Sequence, residues 1–344
     1  MRHVFIINPR AGKRDQTARI YAMADRLRAR RGLDCVCMLT ERPGGAEDMA
    51  RRLVETGEAL RFYACGGDGT ISEVANGIAG FANAAMTCVP TGTGNDFLKN
   101  FGADAGKFAD AENLWDGEVF PLDLIDCNGR CCLTIACSGL DARVAADVHT
   151  YSGFPLLNGR RSYLTAAAVN VLFKGISQHW RVTLDGETLE DDFALVSVCN
   201  GRYYGGGSMP VPEARMDDGV LHTVLVKKVG RLTFARLFGP YSAGEYRSLP
   251  QELIQVSTAR EIRIHSDSGT IVTCLDGEIF RSQEVRLRLA DKRLNFFGPR
   301  GCDPNATARP MPETCQLLAF STIHKFFTEF LDLPPLQTKH VGVI

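Results

Sequence analysis

Apolar and polar positions alternate in two different rhythms along this chain, and the change falls near residue 120. In the first stretch, short apolar runs at His3–Ile7, Cys35–Leu39, Leu60–Cys65 and Met86–Val89 read as strands. Helical spacing fills the gaps between them. One helix is capped by Asp15 and runs to Arg31, with Ile20, Met23 and Leu27 on one face and Gly32 at its end. Ala46–Thr56 and Ser72–Ala79 read as two more, and Asn95–Asn100 opens another. Strand and helix in strict alternation mean crossover connections, hence an α/β domain with a doubly wound, mostly parallel sheet.

Beyond Phe120 the pattern is that of short strands joined by tight turns. Leu122–Asp126 and Cys131–Ala136 flank Asn128-Gly129, and Trp180–Leu184 and Thr188–Asp191 flank Asp185-Gly186. Such dipeptides favour two-residue hairpins because both residues accept positive φ. Strands follow at Ala194–Cys199, Val220–Val226, Glu261–His265, Ile271–Leu275, Glu284–Leu289 and Leu294–Phe297, with helical inserts at Ala142–Val148 and Ser162–Phe173. This predicts an antiparallel, all-β second domain over residues 121–300, after an α/β domain over 1–120. Past Arg300 the chain turns proline-rich. It then offers a last helix at Glu313–Asp332, expected to dock on the protein's own body.

Composition narrows the function classes. With 344 residues, 45% of them hydrophobic and 23% charged, the chain suits two globular domains. Its 39 basic and 40 acidic residues leave a net charge of −1, and the lack of a basic excess speaks against a nucleic-acid partner. The apolar run Leu164–Phe173 is about half of the roughly 18 residues a spanning helix needs, and Val4–Ile7 is too short for a signal peptide. The 12 cysteines include no C-x-x-C pair and mostly sit in apolar runs, which predicts free thiols and a cytoplasmic protein. A zinc site remains a remote alternative.

Candidate chemistry lies in the loops after the strands. Gly66-Gly67-Asp68-Gly69-Thr70 joins an apolar strand to a helix. Glycines let the backbone approach phosphate oxygens, and a helix N-terminus offers them free N–H groups. Asp68, in what reads as an exposed loop, is placed to meet Mg²⁺ or its water shell. Pro90-Thr91-Gly92-Thr93-Gly94-Asn95-Asp96 repeats the arrangement one crossover later, with Thr93 offering a hydroxyl and Asn95 or Asp96 a helix cap. Asn8-Pro9-Arg10-Ala11-Gly12-Lys13 ends the first strand, without the spacing of a P-loop.

Together these blocks resemble the diacylglycerol kinase family of bacterial lipid kinases, whose catalytic module is shared with sphingosine kinases. The family's N-P-x-x-G, G-G-D-G-T-x-x-E-V-x-N-G and P-x-G-T-x-N-D-F signatures stand here as Asn8–Gly12, Gly66–Gly77 and Pro90–Phe97. Its second-domain block stands as Tyr204-Gly205-Gly206-Gly207 through Pro212 to Asp217-Asp218-Gly219, and its late D-G-E as Asp276-Gly277-Glu278. Ala11 replaces a common Ser and His222 a common Asp, and the tail beyond Arg300 does not match.

The resemblance implies an N-terminal nucleotide-binding domain of the NAD kinase/diacylglycerol kinase kind and a C-terminal β-sandwich, with the active site between them. It also implies ATP- and Mg²⁺-dependent phosphorylation of a lipid hydroxyl. Asn8, Pro9, Arg10, Ala11, Gly12, Thr40, Gly66, Gly67, Asp68, Gly69, Thr70, Ile71, Ser72 and Thr93 fall on its ATP-binding positions. Asp68 and Glu278 are its catalytic acids, Glu278 as general base. A structural Mg²⁺ of some members maps to Asp218 with the carbonyls of Arg215 and Val220. The implied partners are a lipid substrate and, peripherally, a membrane surface; a homodimer stays open.

Residue chemistry alone leaves Glu278 open. A carboxylate can take the proton of an attacking alcohol, yet Asp276-Gly277 between two strands is also an ordinary hairpin turn. On that reading Asp276 matters only mildly, through the turn. Two rival functions remain: an NAD kinase, which shares the G-G-D-G-T loop, and a nucleotide-binding regulator without catalysis. Asn8-Pro9 and Pro90–Phe97 weigh against the first, Asp68 and Glu278 against the second.

Overall fold

A computed structural model describes residues 1–152 and 175–306. The helices expected at Ser162–Phe173 and Glu313–Asp332 lie outside the described residues. The first domain is a six-stranded sheet. Its strands β1 (Arg2–Ile7), β2 (Asp34–Leu39), β3 (Leu60–Gly66) and β4 (Ala84–Pro90) run parallel in the order β2-β1-β3-β4. Helices α1 (Thr17–Arg31), α2 (Gly45–Val54) and α3 (Asp68–Ile78) connect them. Gly32 closes α1 with φ of 66°, as the sequence signals require, but the cap position falls to Gln16; Asp15, one residue earlier, accepts from Thr17 N–H at 2.8 Å. Nearly every residue of β1, β3 and β4 is buried, because helices cover both faces.

The sheet is finished by the chain's return. Strand β5 (Glu118–Leu122) is an antiparallel edge, and between it and β4 lies β17 (Leu294–Gly298). The sequence places Leu294–Phe297 in the second domain; it belongs to the first. Phe296 and Phe297 are fully buried, and Phe296 packs in a ring cluster with Phe97, Phe101, Phe108 and Phe120 at 5.1–6.1 Å. An apolar run says that a strand is buried, not in which sheet.

The second domain is antiparallel throughout. Strands β6 (Ile125–Cys127) and β7 (Arg130–Cys132), β9 (Gln178–Leu184) and β10 (Glu187–Cys199), and β14 (Ile271–Leu275) and β15 (Glu278–Ser282) form three hairpins. Each turns on an Asn-Gly or Asp-Gly pair with φ of 46–49° and 93–100°. Strand β10 pairs first with β9 and then, past an irregularity at Phe193/Leu195, with β8 (Ile135–Gly139) and β11 (Leu221–Lys227). Such a break bends a strand. Trp180, Val182, Ile262 and Val285 meet Val196, Leu221, Leu225 and Ile271 in one core, so the bent sheet closes as a sandwich. Helix α5 (Leu140–Ser152) leaves β8 after Gly139, and the helix we label α6 spans Arg231–Ser242. No helix among the described residues is long and apolar enough to cross a membrane.

Helix α3 is set on its neighbour by a bare backbone. A Cβ on Gly77 would lie 2.7 Å from Ala50 Cβ and 2.9 Å from the Glu47 carbonyl oxygen of α2. Overpacking costs about 1–3 kcal/mol, more than the roughly 0.5–1 kcal/mol by which Ala outranks Gly in a helix. Gly77→Ala should therefore lower Tm, whereas Gly106→Ala, which meets nothing within 4 Å, should leave it unchanged. Equal Tm values for the two variants would show that α2 yields freely.

Candidate active site

Three loops leave the carboxyl ends of β1, β3 and β4, the side of a parallel α/β sheet where ligands bind. They pack backbone against backbone. Thr91 and Gly92 donate their N–H groups to the Gly66 carbonyl at 2.9 and 3.2 Å. A Cβ on Gly92 would stand 2.5 Å from Gly67 Cα, and one on Gly12, whose φ is 78°, would stand 2.1 Å from the Thr91 oxygen. Only glycine fits either place. Asn8 completes the bundle, donating through Nδ2 to Thr70 Oγ1 at 3.2 Å.

Helix α3 begins at Asp68, four residues ahead of the start its apolar pattern suggests. Gly67 occupies the cap position and offers no side chain to it, and the first helical bond is Ile71 N–H to the Gly67 carbonyl at 3.2 Å. The preceding N–H groups therefore face the cleft with the positive end of the helix dipole, an anion site.

Asp68 is half-buried, not exposed as its loop-like sequence suggests. Its Oδ1 accepts from Phe97 N–H at 3.2 Å. Burial, and then the charge of Asp96, push its pKa above the usual carboxylate range. Asp96 is itself occupied: Lys99 Nζ pairs with Oδ1, and Gly206 N–H, from the second domain, donates to Oδ2 at 2.7 Å. It does not cap the next helix, nor does Asn95, which adopts φ of 50° and donates to the Gly92 carbonyl at 3.1 Å.

Glu278 opens β15 directly after the Asp276-Gly277 turn and reaches across the domain boundary. A Cβ on Gly69 would lie 3.6 Å from Glu278 Oε1. What holds the hairpin there is Asp276. Its carboxylate accepts from Leu133 N–H at 2.5 Å, Thr134 N–H at 2.9 Å, Ile135 N–H at 3.4 Å and the Thr134 hydroxyl. The turn is real, but Asp276 is more than a turn former: it fastens the hairpin to the start of β8.

A cleft of about 480 Å³ lies between the domains, and all three loops reach it. Asn8, Ala11 and Gly12 line it from the first loop, Gly67 through Ile71 from the second and Thr93 from the third; Asp276 and Glu278 close it from the sandwich.

Against known proteins, residues 2–127 match the diacylglycerol kinase catalytic domain, and residues 134–298 match the YegS C-terminal NAD kinase beta sandwich-like domain. A Pseudomonas aeruginosa (strain UCBPP-PA14) protein named "Probable lipid kinase YegS-like" is 30% identical over 258 residues, covering 73% of this chain and 82% of its own. The chain belongs to the diacylglycerol kinase family. Mycobacterium tuberculosis (strain H37Rv) "Diacylglycerol kinase" is 29% identical, covering 86% of this chain and 94% of its own. A crystal structure of a diacylglycerol kinase from Bacillus anthracis str. Sterne shares the fold, with a TM-score of 0.62 at 22% identity, over 86% of this chain and 96% of that one.

Not every residue assigned from the diacylglycerol kinase family signatures reaches the cleft. Gly66 and Ser72 are buried beneath it, Ser72 because it lies one turn into α3 on the packed face. Pro9 and Arg10 turn away on the outer side of their loop, and Thr40 ends the outer strand β2, its N–H donated to the Ile7 carbonyl at 2.9 Å. Asp218, Arg215 and Val220 form a turn outside the cleft, where Asp218 Oδ1 accepts from Val220 N–H at 3.1 Å and Arg215 pairs with Asp217 at 3.3 Å. Among the described residues no group of three or more His, Cys, Asp or Glu side chains could hold a metal ion.

The sequence reading missed Asp141, which lines the cleft, and the clamp made by Asp96. An Asp early in a helix reads as a dipole partner, and Asp96 as a cap; neither long-range contact leaves a local signal.

A raised carboxyl pKa in the folded state means that the charged form is penalised there. The group's stabilising contribution is then present at low pH and lost as pH rises through the folded pKa. Asp68→Asn keeps an acceptor for Phe97 N–H and removes the penalty. Its Tm should equal or exceed that of the unmodified protein at pH 7, and the gap should close toward pH 4. A variant less stable at pH 7 would show that the charge supports the fold.

Proposed function

We propose that this protein is an ATP- and Mg²⁺-dependent lipid kinase that transfers the γ-phosphoryl group to a lipid hydroxyl at a membrane surface. The observation that carries this reading is the meeting of Glu278 from one domain with the cleft-facing N-terminus of α3 from the other. Backbone N–H groups of the three glycine loops would hold the nucleotide phosphates. Asp68 fits the hard cation such a reaction uses. It presents a carboxylate oxygen to the cleft beside the N-terminus of α3, the kind of ligand a hard cation takes. When bound, Mg²⁺ supplies charge neutralisation on the phosphoryl oxygens.

Glu278 is exposed to the cleft and close to Gly69. There it takes the proton of the lipid hydroxyl as the new oxygen–phosphorus bond forms and the bond from γ-phosphorus to the β–γ bridging oxygen breaks. Leu133, Ile135, Cys137 and Cys274 continue the cleft away from the loops with apolar surface, which suits an acyl lipid better than a dinucleotide. Peripheral membrane contact and a cytoplasmic setting follow from a lipid acceptor and a nucleotide donor.

The deciding assay offers γ-labelled ATP and Mg²⁺ with a mixed lipid extract, and separately with NAD. Label in the lipid phase supports the proposal, label on NAD makes the protein an NAD kinase, and no label with nucleotide bound makes it a regulator. Co-sedimentation with vesicles checks the membrane contact; recovery wholly in the supernatant would remove it.

Two variants separate chemistry from support. Glu278→Gln should lower the rate by roughly 10²–10⁴ and leave Tm unchanged. Asp276→Asn turns an amide toward backbone donors, and each unmet buried bond costs about 1–3 kcal/mol. It should lower Tm markedly and activity with it. If Glu278→Gln kept more than a tenth of the rate, Glu278 would not be the base.

A further inference from the structure

Past Glu278 the cleft ends at the start of α5, where a carboxylate is buried that the phosphoryl transfer does not use. Asp141 is the second residue of α5, 7% exposed, and it lines the cleft together with Tyr204. The Tyr204 hydroxyl donates to Asp141 Oδ2 and lies 3.3 Å from the Tyr241 hydroxyl of α6. The loop that carries Tyr204 is pinned to the first domain, since its Gly206 N–H is the donor to Asp96. Cys137 and Cys274, directly paired across β8 and β14, pack against Tyr204 and line the same cleft.

A helix N-terminus favours an acid, but that does not explain a tyrosine aimed at it or its place on the cleft wall. Among the described residues Tyr204 is the one donor to Asp141, while a carboxylate accepts about four hydrogen bonds. A buried charge so sparsely met is costly to keep, and burial pushes the Asp141 pKa up while the Tyr204 bond opposes this.

We infer that Asp141, held by Tyr204, is the acceptor-recognition site of the kinase, binding a second hydrogen-bond donor on the lipid headgroup beside the hydroxyl that reacts. The sign of the ligand follows from the donors already spent. The Tyr204 hydroxyl donates to Asp141 Oδ2, so Asp141 stands there as an acceptor, and a ligand that meets its remaining lone pairs must donate. A diacylglycerol has one hydroxyl, which goes to Glu278, and its remaining polar atoms are ester oxygens that a carboxylate repels. The favoured acceptors are therefore lipids with two neighbouring donors, a diol or an amino alcohol. The inference rests on the lipid-kinase reading and narrows its substrate class.

The test uses the full chain with 1-monooleoylglycerol, sphinganine and 1,2-dioleoylglycerol in detergent micelles, measuring binding without ATP and turnover with it. The protein should prefer one of the first two over the diester at least tenfold in both measurements; which of them it prefers separates diol from amino alcohol. Asp141→Asn should cut that preference at least tenfold, through KM, and Tyr204→Phe, a smaller change to the fold, should cut it in the same direction. Preferential binding with no lipid labelled would leave this site standing and remove the kinase reading. Turnover that prefers the diester, or a preference that survives in both folded variants, would overturn the inference.

Discussion

The contact of bare backbone with bare backbone at Gly67 and Gly92 is the constraint on which the rest of the site depends. Because Gly92 carries no Cβ, the loops after β3 and β4 close to a separation that a side chain there would not allow. The N-terminus of α3 is left open between them. The same closeness determines the acids. Asp68 is drawn out of solvent toward Asp96, which raises its pKa, and the fold tolerates this because Asp96 is neutralised locally by Lys99 and by a second-domain N–H. One cleft thus holds carboxylates in different degrees of compensation.

The two domains are fastened by polar bonds near the cleft. Asn100 Oδ1 accepts from Arg202 N–H at 2.9 Å, and Asn76 exchanges two bonds of 2.9 Å with the backbone of Cys131. Arg293 pairs at 2.8 Å with Asp123, itself 5% exposed and also bonded to Gly219 N–H at 2.8 Å. Losing one partner of such a pair leaves a buried charge unmet, a far larger effect than losing a surface ion pair. With β17 returning to the first sheet, the chain crosses between domains twice. Their mutual orientation, and so the reach of Glu278 to Gly69, is part of the fold.

Much of this was legible in the sequence because it is local. Strand–helix alternation, the Gly32 cap and the three Asx-Gly turns each depend on neighbours a few residues away and stand where the pattern puts them, although Leu122 ends β5 of the first sheet and the strands at Asn128-Gly129 shorten to Ile125–Cys127 and Arg130–Cys132. Long-range relations were not legible. Phe296 and Phe297 read as a buried strand, but only the ring cluster assigns them to the first sheet. Asp276 read as a turn former because its donors lie more than a hundred residues earlier. Helix α3 read as starting at Ser72 because Asp68, Gly69 and Thr70 carry no apolar periodicity, although they are its first turn. The loops were found by their glycines; which of their residues face the cleft depends on strand order and packing.

Five acids border one cleft; Asp96 is held by Lys99 and Gly206, and the surroundings of the other four divide the work. Asp276 spends its oxygens on four donors and supports the hairpin. Glu278 stands at the tip of that hairpin, solvated and with room to accept a proton. Asp68 is half-buried and accepts from the backbone of Phe97 and Asp96. Asp141, more deeply buried and met by one tyrosine, can discriminate between headgroups because an unmet or repelled partner is costly there. Burial thus deepens from Glu278 to Asp141. Proton transfer needs a side chain free to change state; selection needs one that is not.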